Sequence, residues 1–309
     1  MHIAMIGLGD IACKAYLPIV ASHGNVTPIL CTRNTQTLER LASQYRIADC
    51  YTNITELLIA RPDAVMIHTA TESHGSIARQ FLDAGIPVFV DKPLSYQLDE
   101  TEELLEVAAG NNTSLTLGFN RRFSPLIRPL GNCQNLVQAH LQKNRTRLPA
   151  KPRVYIYDDF IHVIDTLRYL SPIEISDLQV FCYGKPDELS AIQLQWKSGK
   201  SLLTGGMNRV SGITEERLEV FAEDKKWLID NLASGVEFSQ NPLQTPKSLA
   251  FGDWESTLRK RGFVDMFGSW LTQLDSGKQS DLDDIFATHQ LCERVVNIVE
   301  DQLKQAEPQ

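Results

Sequence analysis

The chain has 309 residues, 38 of them acidic and 30 basic, for a formal net charge of −8. That balance excludes the basic footprint of a dedicated nucleic-acid binder, and no apolar run approaches the roughly 20 residues of a membrane span. A 43% hydrophobic, 22% charged composition is that of a globular protein, and its length predicts two domains. The N-terminus reads straight into a strand without a cationic leader, and none of the six cysteines forms a Cys-x-x-Cys pair. The expectation is a cytoplasmic protein with reduced thiols, no metal site and no membrane contact.

In chain order, residues 2–6 alternate as a strand, 11–22 as a helix and 26–31 as a strand. Helices over 35–45 and 54–60, a strand over 64–69 and a helix over 74–84 follow. A strand over 87–90, a helix over 98–109 and a strand over 114–119 complete the series. Strand–helix alternation with short connections predicts a doubly wound parallel sheet. Past Arg121 the pattern changes: strand candidates at 135–143, 178–183, 191–197, 201–207, 217–222 and 226–229 follow one another. One helix, 158–170, interrupts them, and helices over 263–274 and 282–303 close the chain before a frayed tail. This predicts an α+β second domain whose mostly antiparallel sheet has an open face. The expected division is 1–120 and 121–309, with helix 282–303 placed to pack back on the first domain. Residues 241–254 read as a long loop.

Gly7-Leu8-Gly9-Asp10-Ile11-Ala12 fits G-x-G-x-x-A directly after the first strand and at the opening of the first helix. Gly7 permits the tight turn, Gly9 lets backbone approach a pyrophosphate, and Ala12 keeps helix and strand close. The phosphates would meet the free N–H groups of the helix N-terminus at Asp10 and Ile11. The N-terminal domain is therefore expected to be a Rossmann domain that binds a nicotinamide dinucleotide. At the end of the second strand stand Thr32-Arg33-Asn34 in place of the acid that binds the ribose of NAD. A guanidinium suits a 2′-phosphate, so NADP is expected over NAD, with an ordinary solvated loop arginine as the alternative reading.

Lys92 ends the strand of Pro87-Val-Phe-Val-Asp-Lys-Pro93, where an open α/β sheet presents its ligand crevice. A solvated surface lysine is the alternative reading. Asp158, His162 and Asp165, spaced i, i+4, i+7, share a helix face. A histidine between carboxylates can serve as a general base; equally, Asp158 or Asp159 could cap the helix and His162 pack. Lys143-Asn144-Arg145-Thr146-Arg147 reads as a solvated basic loop, with contact to an anionic substrate or cofactor phosphate as the alternative. Tyr155 and Tyr157 alternate as in a half-buried strand or line a pocket, and Asn208-Arg209 offers another substrate contact.

At these residues the sequence resembles the Gfo/Idh/MocA oxidoreductases, and especially their MviM-like subgroup, over essentially the whole chain. Asp91-Lys92-Pro93 is similar to the family's Glu-Lys-Pro motif, with a shorter acid. Thr69-Ala70-Thr71-Glu72-Ser73-His74 resembles its T-P-x-x-x-H segment, with Ala70 for the proline. Gly118-Phe119-Asn120-Arg121-Arg122-Phe123 is similar to the domain junction, and Asp158 with His162 to D-x-G-x-H, with Phe160 for the glycine. The resemblance implies an NAD(P)-dependent dehydrogenase of a sugar, polyol or related hydroxy compound. In it Lys92, His162 and Asp158 would be catalytic, and Thr69, His74, Asp91 and Lys92 would join the cofactor site. Asn120, Arg121, Tyr157, Asp158 and His162 would contact substrate. It implies a homodimer or higher homo-oligomer paired through the open sheet faces. A non-catalytic metabolite sensor and a nicotinamide-dependent glycosidase are the alternative functions.

Overall fold

The structure, a computed structural model, describes residues 1–241 and 245–305. The chain divides into two compact units, Met1–Gly118 with Phe263–His289, and Phe119–Gly262 with the chain from Gln290 onward.

The first unit is built on six parallel strands: β1 (His2–Ile6), β2 (Thr27–Cys31), β3 (Cys50–Tyr51), β4 (Ala64–Ile67), β5 (Val88–Val90) and β6 (Leu115–Leu117). Their spatial order is β3-β2-β1-β4-β5-β6, the doubly wound order whose direction reverses between β1 and β4. The connecting helices are α1 (Leu17–Ser22), α2 (Thr35–Tyr45), α3 (Ile54–Ala60), α4 (His74–Asp83) and α5 (Leu98–Gly110). Every residue of β4 and β5 is buried, as expected of parallel strands covered on both faces. Asn34 and Asn53 cap α2 and α3 through hydrogen bonds accepted from Thr37 and Glu56 N–H.

The second unit holds eight strands: β7 (Leu136–Asn144), β8 (Ile175–Lys185), β9 (Glu188–Ser198), β10 (Ser201–Asn208), β11 (Glu215–Ala222), β12 (Lys225–Asp230), β13 (Ser234–Ser239) and β14 (Lys247–Ala250). Their order is β14-β13-β12-β11-β7-β10-β9-β8; β10 runs parallel to β7 and the other pairs are antiparallel. The inner face buries Leu141, Trp196, Leu203, Leu218 and Val220. Against it lies one helical run made of α6 (Pro152–Tyr155), a π-helical turn (Ile156–Phe160) and α7 (Ile161–Leu170). Gly205 of β10 permits this close approach, because a Cβ there would stand 2.6 Å from Val163 Cγ1 and 3.0 Å from Leu167 Cδ1. On the outer face Phe181 and Tyr183 of β8 stay 62% and 72% exposed.

Several details differ from expectation. The helix begins at Pro152 rather than 158, so Tyr155 and Tyr157 are buried helical residues and neither Asp158 nor Asp159 is a cap. Part of the loop expected over 241–254 is strand β14, while 242–244 lie outside the described residues. The short α8 (Thr257–Lys260), then α9 (Phe263–Ser276) and α10 (Leu282–Gln305) end the described chain, and the rest of the expected frayed tail lies beyond it. Residues of α9 complete the first unit's core: Phe263 meets Tyr16, Phe267 meets His23 and Trp270 meets Phe89, with ring centroids 5.3, 5.7 and 5.3 Å apart. Among the described residues no helix is long and apolar enough to cross a membrane.

Candidate functional site

Gly7 follows β1 with φ +86°, and a Cβ there would lie 2.7 Å from the Thr69 nitrogen and 2.9 Å from the His68 carbonyl carbon. Only glycine fits both the dihedral and the gap. Gly9 is the opposite case: nothing stands within 4 Å of its missing Cβ, so its backbone is open to a large ligand. Ala12 is fully buried and opens a π-helical turn, Ala12–Tyr16, that leads into α1. Cys13 N–H already bonds to Gly9 O, which leaves the preceding N–H groups as first-turn donors. Such a cradle fits the pyrophosphate of a dinucleotide.

The turn opens onto a cavity of about 880 Å³. Gly7, Gly9, Asp10, Ile11, Thr32, Arg33 and Thr69 line it, as do Thr52 and Asn53. Arg33 is exposed there, whereas neighbouring Asn34 is spent as the α2 cap. Four expected cofactor residues, Ala12, His74, Asp91 and Lys92, are absent from this wall. For His74 the reason is plain. It is 2% exposed, with Nδ1 2.8 Å from Pro93 O and Nε2 3.0 Å from Thr69 O, so it braces one loop against the other.

Beneath the cavity lies a histidine that the sequence reading left aside. His68 follows β4, is 4% exposed, lines the cavity, and has both ring nitrogens buried without a hydrogen-bond partner. Burial, aided by nearby His74, lowers its pKa from the ordinary 6.5 to about 3, so the ring is neutral. Tyr16 stacks on it with centroids 4.1 Å apart and donates its hydroxyl to Asp91 Oδ1 at 3.1 Å. Burial pushes the Asp91 carboxyl above its ordinary range, against the opposing pull of Lys92 and the Tyr16 hydroxyl. Lys92, half-buried, follows this carboxylate just past the carboxyl end of β5.

In the second unit, Asp158 and His162 are half-buried on the helical run, Asp158 within its π-helical turn and His162 at the start of α7. π-Helical turns recur at functional sites, and among the described residues one follows the glycine turn and one carries Asp158. Asp165, expected to flank the histidine, is 1% exposed and takes the Arg122 Nε at 3.0 and 3.1 Å.

Three expected substrate contacts, Arg121, Tyr157 and Asn120, are buried and hydrogen-bonded within the protein. Arg121 is 4% exposed and bound by Nε and Nη2 to Glu216 at 2.6 and 2.8 Å, which makes it a buried structural ion pair. Burial alone would raise the Glu216 carboxyl, but the charge and hydrogen bonds of Arg121, with Lys143 and Arg261, hold it at about 2. Tyr157 is fully buried and donates its hydroxyl to Glu293 Oε2 at 2.9 Å. Asn120, also buried, donates Nδ2 to Arg261 O at 2.7 Å. The expected solvated loop is corrected: Lys143 is 3% exposed, and it, Arg145 and Arg209 all reach Asp159, itself 6% exposed.

A profile described as an oxidoreductase family with an NAD-binding Rossmann fold, Gfo/Idh/MocA, matches residues 1–119, and a YceM-like C-terminal domain matches residues 131–239. YceM of Salmonella typhimurium, described as an oxidoreductase, is 30% identical over 85% of this chain and 86% of its own. An inositol 2-dehydrogenase of Rhizobium meliloti is 25% identical over 70% of this chain and 72% of its own. The crystal structure of a Gfo/Idh/MocA oxidoreductase from Vibrio cholerae is 36% identical, with TM-score 0.92 over 98% of this chain and 99% of that one.

Proposed function

Because this chain belongs to the Gfo/Idh/MocA oxidoreductase family, we propose that it is an NAD(P)-dependent dehydrogenase of a sugar, polyol or related hydroxy compound, close to the MviM-like subgroup. The observation that carries this reading is the Gly7–Gly9 turn, which opens first-turn N–H donors onto a dinucleotide-sized cavity. The inositol dehydrogenase among the relatives supports a polyhydroxylated substrate.

The turn residues Gly7 to Ile11 hold the pyrophosphate, and Thr32 and Arg33 take the adenosine ribose, with Arg33 favouring a 2′-phosphate. When bound, the nicotinamide supplies a hydride acceptor or donor. His162 removes the substrate hydroxyl proton as general base, and Asp158 orients it or a neighbouring hydroxyl. Lys92 stabilises the alkoxide as negative charge grows on the oxygen, so its cation counts most in the transition state. The protein works in the cytoplasm as a homodimer or higher homo-oligomer.

The test is turnover by the full chain with NADP⁺ and NAD⁺ against a panel of polyols, sugars and sugar phosphates, read as formation of reduced nicotinamide. The expected result is turnover of at least one hydroxy compound. Failure to bind either dinucleotide in a direct titration would overturn the reading.

A further inference from the structure

We infer that the guanidinium groups of Arg145 and Arg209 form a subsite for an oxyanion, a carboxylate or phosphate ester carried by the hydroxylated substrate. The inference rests on the dehydrogenase reading and narrows its substrate class.

Three cationic side chains converge on one carboxylate. Lys143 bonds Asp159 Oδ1, Arg209 Nη2 lies 3.1 Å from Oδ2, and Arg145 reaches Oδ2 through Nε at 3.2 Å and Oδ1 through Nη2 at 3.5 Å. A carboxylate has about four lone-pair sites, and here it is shared among the three. Arg145 has the longest contacts and keeps 35% of its side chain exposed. Arg209 is 5% exposed, stacks over the Tyr155 ring at 4.5 Å, and gives Nη1 to Leu148 O at 3.3 Å. Its Nε is buried with no hydrogen-bond partner.

One carboxylate shared among three cations leaves a surplus of positive charge, and the accessible guanidinium of Arg145, beside the desolvated one of Arg209, is where an oxyanion would meet it. The nearby acid does not do so: Glu216 is engaged by both Nε and Nη2 of Arg121. Burial lowers the Arg145 pKa, and the like charges of Arg121, Arg261 and Arg209 act in the same direction against Glu216. The position is also apt. Asp159 adjoins Asp158, the charge of Asp158 acts on Arg209, and the same helical run carries His162. An anion on Arg145 and Arg209 would thus sit beside the residues proposed to meet the reacting hydroxyl.

The experiment uses the full chain and matched sets of probes: D-glucose, D-glucuronate and D-glucose 6-phosphate, with myo-inositol and a myo-inositol monophosphate as a second set. Calorimetry gives each affinity in the presence of saturating NADP⁺. The acidic member is expected to bind about 10-fold or more tightly than its neutral partner, the scale of one charge-assisted hydrogen bond. Whether glucuronate or the phosphate ester gains more separates a carboxylate site from a phosphate site. Arg145→Gln is expected to erase the preference and Arg145→Lys to restore part of it, with NADP affinity unchanged in both. Equal affinity within both sets, no binding of any acidic probe, or a preference that survives R145Q would overturn the inference. Dinucleotide binding that persists in any of these cases leaves the dehydrogenase reading standing, so the two failures are distinct.

Discussion

Arg33 is an exposed cation on the cavity wall at the end of β2, and Arg33→Ala is expected to weaken NADP binding by about 10-fold while leaving NAD binding unchanged. Titrating both dinucleotides into the variant checks this, and equal losses for the two would sink the 2′-phosphate role. Lys92→Met is expected to abolish turnover with dinucleotide affinity intact, and His162→Asn to slow turnover by roughly 10²–10⁴-fold. Single-turnover kinetics beside binding titrations separate these effects. His68 sets a pH dependence of its own. Its ring takes up a proton near 6.5 when unfolded but only near 3 when folded, so stability present above 6.5 is lost as pH falls through that window. Glu216 adds a second loss only below its ordinary 4.5, towards 2. Replacing His68 by leucine is therefore expected to flatten denaturant stability between pH 6.5 and 4.5; an unaltered slope would contradict the neutral buried ring. At this scale the phosphate turn was legible because its logic is local: two glycines, a strand before and a helix after. The buried partners of Arg121, Tyr157 and His74 were not legible because Glu216, Glu293 and Pro93 stand 95, 136 and 19 positions away. A lone polar residue carries no mark of burial in its own neighbourhood.

The run from Pro152 to Leu170 is the element on which the second unit turns, since it covers the sheet's inner face and carries Asp158, Asp159 and His162. Its seating depends on Gly205. Gly205→Val is expected to destabilise the protein by about 1–3 kcal/mol through overpacking against Val163 and Leu167, read as a lower denaturant midpoint with m unchanged. An unchanged midpoint would mean that the helix is not held at this point. Alternation made the central strands readable, because one face is apolar and the other polar. Strands β13 and β14 were not: at the sheet's edge only Gly235 of β13 is buried, and none of β14. The helix start was missed because Tyr155 and Tyr157 alternate as strand residues would, and tertiary burial overrode that pattern.

For the whole molecule, the outer sheet face leads to an expected dimer. Light scattering at micromolar concentration should give twice the chain mass, and Tyr183→Glu combined with Phe181→Glu should shift it towards the monomer. A monomeric mass for the unaltered chain would end the idea. The two-part organisation was visible in the switch from alternating elements to consecutive strands. Helix 282–303 was expected against the first domain, and its residues up to His289 group with the first unit; that Phe263–Ser276 joins it too was not visible, because an amphipathic helix does not declare which core its apolar stripe will join.

The return of Phe263–His289 to the first unit has a consequence for how the protein is made. The aromatic rings of Phe263, Phe267 and Trp270, and His289, whose Nε2 receives the Leu94 N–H at 3.1 Å, leave the ribosome after the entire second sheet. Until they emerge, nascent Tyr16, Phe89 and the Leu94 amide lack the partners that complete their environment. The N-terminal half therefore cannot finish folding as an independent vectorial step. Its last contacts wait for synthesis to pass residue 289, and the dinucleotide pocket matures in a chain already committed to both units.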